Sequence, residues 1–319
     1  MKAAAFSLVV LTLNVAGPRR LHQGWETRRE AIAARVKEAA PDAAAFQDIW
    51  RAEDLDALAH AGGHGRSAAD PALGLGVTSR LPIESSDSRD LGAGAGVLRA
   101  RLDAGKSPID VYSARLEPGE APMGPRRLGQ LFRLAEFVRS RSSSNSFVLL
   151  GDLGVAADER APELLLDLLE ARDLCVSHGD EVCGRTLGER RVDYALIPYS
   201  SRTPTEYARA AFTDLFTDDE EPAESHFGLR VRLDSRFPAL KPAAAPQGRD
   251  EALAAILDAL ETARQDAERR SANAGWIPFL GARRYAAAED ELAELIALEE
   301  EVRSARLRGV PPAVPATPD

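Results

Sequence analysis

The spacing of apolar residues along this chain switches between two periods, and each switch marks an element. Short apolar, β-prone runs predict buried strands, while apolar residues three and four positions apart predict helices. The predicted strands are 6–15, 43–47, 73–79, 97–102, 109–116, 147–150, 191–197 and 227–233. The predicted helices among them are 25–40 and 125–141. Many short strands with helices between some of them favour a layered α/β sandwich.

The composition changes after Leu233. Three prolines among alanines between 238 and 246 predict a stiff linker. Two amphipathic stretches follow and predict a helical hairpin, which we expect to be separable from the sandwich. We therefore predict a sandwich domain at 1–236, a linker at 237–249, a helical hairpin at 250–308 and a disordered tail at 309–319.

The N-terminus has two interpretations. Lys2 followed by an apolar run resembles a short secretory signal. The same run also reads as a buried strand that places Asn14 at its end, and cleavage nearby would then remove a core element. We favour the strand, and with it a cytoplasmic location.

Charge and hydropathy limit the classes of partner. The net charge of −10 and the pI near 5.2 argue against broad electrostatic binding of nucleic acid, although a local basic groove remains compatible with them. No apolar run is long enough to span a bilayer. The hydrophobic content of 45% supports a sizeable core.

The strand 147–150 places Asp152 where the strand breaks into a loop. A catalytic acid or base is well placed there, because the sheet fixes the carboxylate while the loop end leaves it reachable. The alternative is an ordinary aspartate that caps a strand-to-loop turn.

Other chemistry-bearing residues give weaker signals. Cys175 and Cys183 flank His178, but a zinc site needs four ligands at tighter spacing. The two cysteines could close a disulfide in an oxidising compartment, and we expect free thiols in the cytoplasm. Three histidines in polar or Gly-rich loops are expected to be solvated, namely His22, His60 and His64.

Arginines and aromatic residues of the helices also have two interpretations. Most arginines of helix 125–141 are expected on its solvated face, with capture of an anionic substrate as the alternative. They are Arg126, Arg127, Arg133, Arg139 and Arg141. Trp276 and Phe279 in the turn of the hairpin are expected to pack against its own helices, with insertion into a membrane interface as the alternative.

Eight short motifs occur in a fixed order along the chain. They are 11–17 (LTLNVAG), 46–48 (FQD), 78–83 (TSRLPI), 113–116 (SARL), 127–130 (RLGQ), 149–154 (LLGDLG), 191–194 (RVDY) and 225–229 (SHFGL). Together they resemble the endonuclease/exonuclease/phosphatase superfamily, which contains pancreatic DNase, abasic-site nucleases, inositol phosphatases and neutral sphingomyelinases. The resemblance covers about residues 6–233. It implies a four-layer α/β sandwich of two mainly antiparallel sheets flanked by helices.

The resemblance also implies hydrolysis of phosphate esters with a divalent metal, usually magnesium. Asn14 matches the family's asparagine near the metal and the phosphate. Asp152 matches the aspartate that orients or deprotonates the attacking water, and His226 matches the histidine that contacts the phosphate. Asp193 matches the carboxylate that holds this histidine, since a carboxylate raises the pKa of an imidazole and aims its proton.

Four positions depart from the family's pattern. Asp48 stands where the family has a metal-binding glutamate, so its carboxylate is one methylene shorter. Arg115 replaces a histidine and supplies positive charge without giving or taking a proton. Gly154 replaces an asparagine and Ser225 an aspartate, while the neighbouring Glu224 points to the opposite face of its strand. With Asn14 and Asp48 as metal ligands, the site is predicted to bind magnesium or manganese weakly.

Two hypotheses about function follow. The first is a metal-dependent phosphoester hydrolase with an altered site, acting on a small or lipid phosphodiester rather than on bulk DNA. The second is a catalytically inactive family member that serves as a binding or scaffold protein, with the helical hairpin as its partner surface. Both predict that six residues converge at one end of the sandwich, namely Asn14, Asp48, Arg115, Asp152, Asp193 and His226.

Overall fold

The structure is a computed structural model, and it describes residues 7–18, 24–105, 108–117, 123–142, 147–177, 180–201, 205–211, 226–234, 248–274 and 281–308. Two six-stranded sheets make up its centre. The predicted sandwich of two mainly antiparallel sheets flanked by helices is confirmed.

Sheet A carries the N-terminal strand in its interior. Its order is β13 (Thr205–Ala211), β14 (Gly228–Asp234), β1 (Ser7–Asn14), β2 (Ala43–Gln47), β4 (Leu75–Ser79) and β3 (Arg66–Asp70). β1 and β2 pair in parallel, and the other neighbours are antiparallel. β1 therefore lies between two strands, as a core strand does.

Sheet B has the same plan. Its order is β5 (Ile83–Gly92), β6 (Ala95–Leu102), β7 (Ile109–Arg115), β8 (Phe147–Asp152), β12 (Asp193–Pro198) and β9 (Ala171–Asp173). β7 and β8 are its one parallel pair. A small hairpin of β10 (Val176–Ser177) and β11 (Asp180–Glu181) follows β9.

Helices cover the outer faces of both sheets. α1 (Trp25–Ala39) and α2 (Ala52–Gly62) pack on sheet A, while α3 (Pro125–Arg141) and α4 (Arg160–Leu169) pack on sheet B. The inner faces meet in a third cluster that includes Val10, Val77, Val111 and Leu150. Strands buried on both faces explain the unbroken apolar run of β8.

The apolar periodicity of the sequence did not predict several elements, because it is weak in them. β5 consists mostly of exposed polar residues at a sheet edge, so it shows no apolar alternation. Helix α2 is short, and α4 begins with a proline at its third position. The predicted bounds of β2 and α3 agree with the structure.

The C-terminal hairpin forms a further layer on sheet B. Its helices are α5 (Arg249–Ala274) and α6 (Gly281–Leu307), and Leu253, Ile256 and Leu298 belong to the same buried cluster as the apolar faces of α3 and α4. At Gly129 of α3, a Cβ would come within 3.0 Å of Leu298 Cδ2, so the glycine allows the two helices to approach closely. This shared core contradicts our expectation of a separable hairpin. The division of the chain into domains at 236 and 249 stays a prediction.

Two further expectations are corrected. Cys175 and Cys183 form a disulfide rather than free thiols, and both lie buried against Leu229. His64 is buried rather than solvated, with Nε2 2.8 Å from the Pro41 carbonyl and Nδ1 2.6 Å from Thr78 Oγ1. Neither partner of His64 is close in sequence, which is why its Gly-rich surroundings misled the prediction.

Some expectations fall outside the described residues. These include His22, His178, the turn with Trp276 and Phe279, and the tail from 309. No helix in the part of the chain that the structure describes is long and apolar enough to cross a membrane.

Candidate active site

Three of the predicted site residues form one row across sheet B. Arg115, the last residue of β7, is in register with Asp152 of β8, and Asp152 is in register with Asp193 of β12. Residues directly opposite each other on paired strands project to the same face of a sheet. The register alone therefore places a guanidinium and two carboxylates side by side.

Sheet A supplies the other three residues at the same end of the sandwich. Asn14 ends β1, Asp48 follows directly after β2, and His226 lies just before β14. Because β1 and β2 run in parallel, Asn14 and Asp48 emerge at one edge. The antiparallel β14 begins where β1 ends, which brings His226 to that edge as well.

The contacts between these residues all cross from one sheet to the other. His226 Nδ1 donates to Asp193 Oδ2 at 2.9 Å, and His226 Nε2 lies 3.7 Å from Asp152 Oδ2. Asn14 Nδ2 donates to Asp152 Oδ2 at 3.0 Å. Arg115 Nε lies 2.9 Å from Asp48 Oδ1. The site thus exists only where the two sheets are packed together.

The histidine is charged in its buried position. Burial alone would lower the pKa of His226, but the negative charges of Asp193 and Asp152 outweigh it and raise the pKa to about 9. Burial raises the pKa of the Asp193 carboxyl, against the attraction of His226. At neutral pH the imidazole therefore holds its proton on Nε2, where it makes no hydrogen bond with any described residue.

Asp152 is oriented by donors from both sheets. The backbone N–H of Gly154 donates to Oδ1 at 2.8 Å, while the Asn14 amide donates to Oδ2. The Asn14 side chain is itself fixed, because its Oδ1 accepts the backbone N–H of Ala16 at 2.9 Å. Gly154 thus holds the carboxylate through its backbone.

A second ion pair lies nearer the surface. Arg115 and Asp48 are 14% and 16% exposed, compared with 8% and 0% for His226 and Asp193. Arg115 also donates from Nη1 to the Gly94 carbonyl at 3.1 Å, and its guanidinium lies 5.8 Å from the ring centroid of Trp50. The side chain is therefore fixed by two segments, the loop 48–50 and the turn at Gly94.

The close approach of β7 and β8 depends on Gly151. A Cβ on this residue would come within 1.9 Å of the Ala114 carbonyl oxygen, which is a backbone atom that cannot turn aside. Only glycine is compatible with this separation. Gly151 thereby keeps Arg115 and Asp152 at neighbouring positions in the row.

Several supporting residues were not recognised as such in the sequence. Thr12, Gln47 and Ser113 form a buried chain between the sheets, with Gln47 Nε2 donating to Ser113 Oγ at 3.0 Å and Thr12 Oγ1 donating to Gln47 Oε1 at 3.2 Å. Ser113 donates in turn to the Phe46 carbonyl. The sequence signal that could have identified them is a polar residue inside an otherwise apolar strand.

Two more supporting residues act on the backbone. Thr186 Oγ1 accepts the N–H groups of Val192 and Asp193, which fixes the start of β12. Arg127 is fully buried and donates to the carbonyls of Glu117 and Leu153, which follow β7 and β8. The expectation that Arg127 lies on a solvated helix face is therefore wrong, because its charge is used to join two loops.

The residues predicted to bind the metal both have partners in this arrangement, and their role as metal ligands stays a prediction. Asn14 has its oxygen occupied by Ala16, and Asp48 is paired with Arg115. A buried group that could bind a metal consists of Asp152, Asp193 and His226, whose ligand atoms lie within 4.8 Å of one another. A metal ion there would have to displace the proton of His226, because a histidine ligand must be neutral.

Comparison with known proteins identifies the family of the chain. The family model described as the endonuclease/exonuclease/phosphatase family matches residues 11–214. The chain belongs to that family, whose members generally depend on a divalent metal. No curated protein sequence matches the chain.

Solved structures share the fold at low identity. An endonuclease/exonuclease/phosphatase family protein from Leptotrichia buccalis has 15% identity and a TM-score of 0.56, covering 71% of this chain and 99% of that one. Truncated Caenorhabditis elegans TDP2 has 16% identity and a TM-score of 0.56, covering 72% and 97%. Sphingomyelinase C from Streptomyces griseocarneus has 14% identity and a TM-score of 0.55, covering 70% and 99%.

Proposed function

We propose that this chain hydrolyses a phosphodiester at the site formed by Asp152, Asp193 and His226. The family supports a hydrolase in general, and the site supports the finer assignment. The observation that carries it is the buried pairing of a carboxylate with a charged imidazole, in which Asp152 Oδ2 lies 3.7 Å from His226 Nε2.

A carboxylate beside a charged imidazole suits a reaction in which water attacks phosphorus. Asp152 accepts the proton of the attacking water, and the oxygen of that water forms the new bond to phosphorus. The Nε2–H of His226 stabilises the charge that develops on the phosphate as the bond to the leaving alkoxide breaks. The alkoxide takes a proton from solvent water, and Asp152 returns its proton to solvent. Asp193 fixes the orientation of the imidazole and offsets its charge, while Asn14 keeps Asp152 in place.

Magnesium or manganese is proposed as an accessory cofactor that binds weakly and that turnover does not require. Asp152, Asp193 and the neutral form of His226 would hold it, and a bound divalent ion would then supply the positive charge for the phosphate in place of the imidazolium. Weak binding follows from the proton that already resides on His226 and from the engagement of Asp48 by Arg115.

The substrate is proposed to be a small or lipid phosphodiester. Structures of similar fold include a sphingomyelinase C and a TDP2 bound to a single-strand DNA product. The net charge of −10 favours the former class over bulk DNA, because a nucleic acid backbone would be repelled over much of the surface. We also propose the polar outer surface of α5 and α6 as a position for a protein partner.

A non-catalytic binding role is the second candidate. The Arg115–Asp48 pair favours it, because Arg115 neutralises the carboxylate that stands at the family's metal position. In this case the site binds a phosphate group without cleaving it.

The cellular compartment is also part of the proposal. The prediction of a cytoplasmic location rested on the interpretation of the N-terminal apolar run as a core strand, whereas the Cys175–Cys183 disulfide supports an oxidising compartment.

Hydrolysis of bis(4-nitrophenyl) phosphate, with and without magnesium, tests the catalytic proposal. Asp152→Asn should lower turnover by about 10²–10⁴-fold, the usual contribution of a positioned base. Asp158→Asn is the matched control, since this exposed aspartate lies in the loop after the same strand and should leave turnover unchanged. Equal turnover by wild type and Asp152→Asn would favour the binding role.

A further inference from the structure

Arg115 and Asp48 are an unusual pair for a site of this family. A guanidinium stands against the one carboxylate that the chain retains at the family's metal-ligand position. An ordinary surface ion pair contributes little and is readily exchanged for water. This one is mostly buried, and both of its members are fixed by further contacts.

The backbone fixes the carboxylate. Asp48 has a φ of 54°, in the left-handed region, which few residues other than glycine adopt. Its carbonyl accepts the N–H of Gly17 at 3.0 Å, and the N–H of Ile49 donates to the Gly74 carbonyl at 2.9 Å. Hydrogen bonds on both sides thus hold Asp48 in this conformation.

The guanidinium is fixed as well. The ring of Trp50 faces it, and that ring packs so closely on Gly74 that a Cβ there would come within 2.8 Å of it. The Gly94 carbonyl accepts a hydrogen bond from Nη1, and Nε forms an ion pair with Asp48 that does not have the geometry of a hydrogen bond. Within the part of the chain that the structure describes, Nη2 of Arg115 makes no hydrogen bond, so it is available to an anion.

A metal ion and this guanidinium compete for the same carboxylate. Magnesium binds carboxylate oxygens at about 2.0–2.1 Å and carries two positive charges. Placing it on Asp48 beside Arg115 would bring like charges close together in a poorly hydrated position. One cation therefore excludes the other.

We propose that Arg115 is the resident cation of this site, occupying the metal position at Asp48 and binding the substrate phosphate there without a metal ion. The proposal rests on the proposed function only for the identity of the bound group, a phosphate. It assigns Arg115 a binding role that a histidine at this position cannot fill permanently, because a guanidinium stays charged at every accessible pH.

Calorimetric titration of magnesium tests the competition without any turnover. Arg115→Met should bind magnesium at least about tenfold more tightly than the wild type, because it frees Asp48. Arg115→Lys keeps the charge and should bind as weakly as the wild type. Arg101→Met is the matched control, since Arg101 pairs with Glu84 and Asp110 on neighbouring strands of the same sheet, away from the site.

Titration of inorganic phosphate in the presence of a chelator tests the binding role. The wild type should bind phosphate without metal, and Arg115→Met should weaken this binding at least about tenfold. Circular dichroism establishes that each variant is folded, and Arg115→Gln replaces the methionine variant if it does not fold.

Three outcomes would overturn the proposal. They are micromolar magnesium affinity in the wild type, equal magnesium affinity in the wild type and Arg115→Met, and phosphate binding that requires added metal. Failure of hydrolysis would leave these measurements intact. Conversely, Asp152-dependent hydrolysis combined with any of these outcomes would retain the proposed function and reject the role of Arg115.

Discussion

Two ion pairs connect sheet A to sheet B, and they differ in depth and in chemistry. Asp193 and His226 are buried, and the imidazole carries a proton that it can give up. Asp48 and Arg115 lie nearer the surface, and their cation never loses its charge. The comparison suggests a division of labour in which the deep pair handles protons and the outer pair supplies fixed positive charge.

Removal of the C-terminal hairpin should have the largest effect, because it destabilises sheet B, which carries one member of each ion pair. A chain ending at 234 lacks α5 and α6, which cover the apolar faces of α3 and α4 behind sheet B. Each large apolar side chain that becomes exposed costs about 1.5–3 kcal/mol. We expect loss of more than about 5 kcal/mol and a melting temperature lower by at least about 10 °C.

Differential scanning calorimetry measures this effect. Leu253→Asp in the full chain provides a second test, since it places a charge in the contact between the hairpin and the sandwich. An unchanged melting temperature for the truncated chain would restore the separable hairpin that the sequence suggested.

Gly151→Ala is expected to disturb both pairs locally. The added methyl group would meet the Ala114 carbonyl at 1.9 Å, so β7 and β8 must move apart. We expect a loss of about 1–3 kcal/mol in the free energy of unfolding and loss of most activity, since small misplacements are costly in an active site.

Gly65→Ala is the matched control for Gly151→Ala, because a Cβ at Gly65 meets no atom within 4 Å. The free energy of unfolding, measured by chemical denaturation, and the turnover should both be lower for Gly151→Ala than for Gly65→Ala. A Gly151→Ala protein with full activity would show that the spacing of Arg115 and Asp152 is not critical.

Asp193→Asn separates the deep pair from the outer pair. The amide keeps the shape of the side chain but removes the charge that holds the His226 proton. Turnover should fall by about 10²–10⁴-fold, while metal-free binding of inorganic phosphate by Arg115 should persist. Loss of both properties would mean that the two pairs act as one unit.

The smallest expected effect involves neither pair and establishes the background pH dependence. Burial lowers the pKa of His64 below its ordinary value of 6.5. The unfolded chain therefore binds a proton more readily than the folded one. Stability from His64 is fully present above about pH 6.5 and is lost as the pH falls through 6.5 towards the folded-state pKa.

Denaturation between pH 5 and pH 8 measures this contribution, which is at most about 1.4 kcal/mol per pH unit for one proton. His64→Asn should flatten the slope below pH 6.5. His60→Asn, which alters an exposed histidine of α2, should not. Equal slopes of stability against pH in the two variants would show that burial does not lower the pKa of His64.

The sequence predicted the strand ends well because apolar runs and their terminal polar residues are local features. Asp152 and Asn14 could each be placed at the end of a strand. Their hydrogen bond joins residues 138 positions apart, and only the packing of the sheets determines it. The family resemblance, rather than any local pattern, supplied the expectation that they meet.

Other features could not be read from local patterns. The apolar stripes of α5 and α6 predicted a hairpin but gave no indication of its target, since any apolar face would satisfy them. Arg127 stands directly beside the exposed Arg126 in α3, yet it is buried and donates to the carbonyls of two loops. The Arg115–Asp48 ion pair likewise could not be predicted, because it depends on the distance between the two sheets.

The most direct test of the division of labour is the steady-state kinetics of bis(4-nitrophenyl) phosphate hydrolysis in the presence of a chelator. We predict metal-free turnover by the wild type, a lower kcat with little change in KM for Asp193→Asn, and a KM raised at least about tenfold for Arg115→Met. Added magnesium should restore the KM of Arg115→Met alone. A wild type that turns over only with added metal, or an Arg115→Met variant with unchanged KM, would contradict the division of labour.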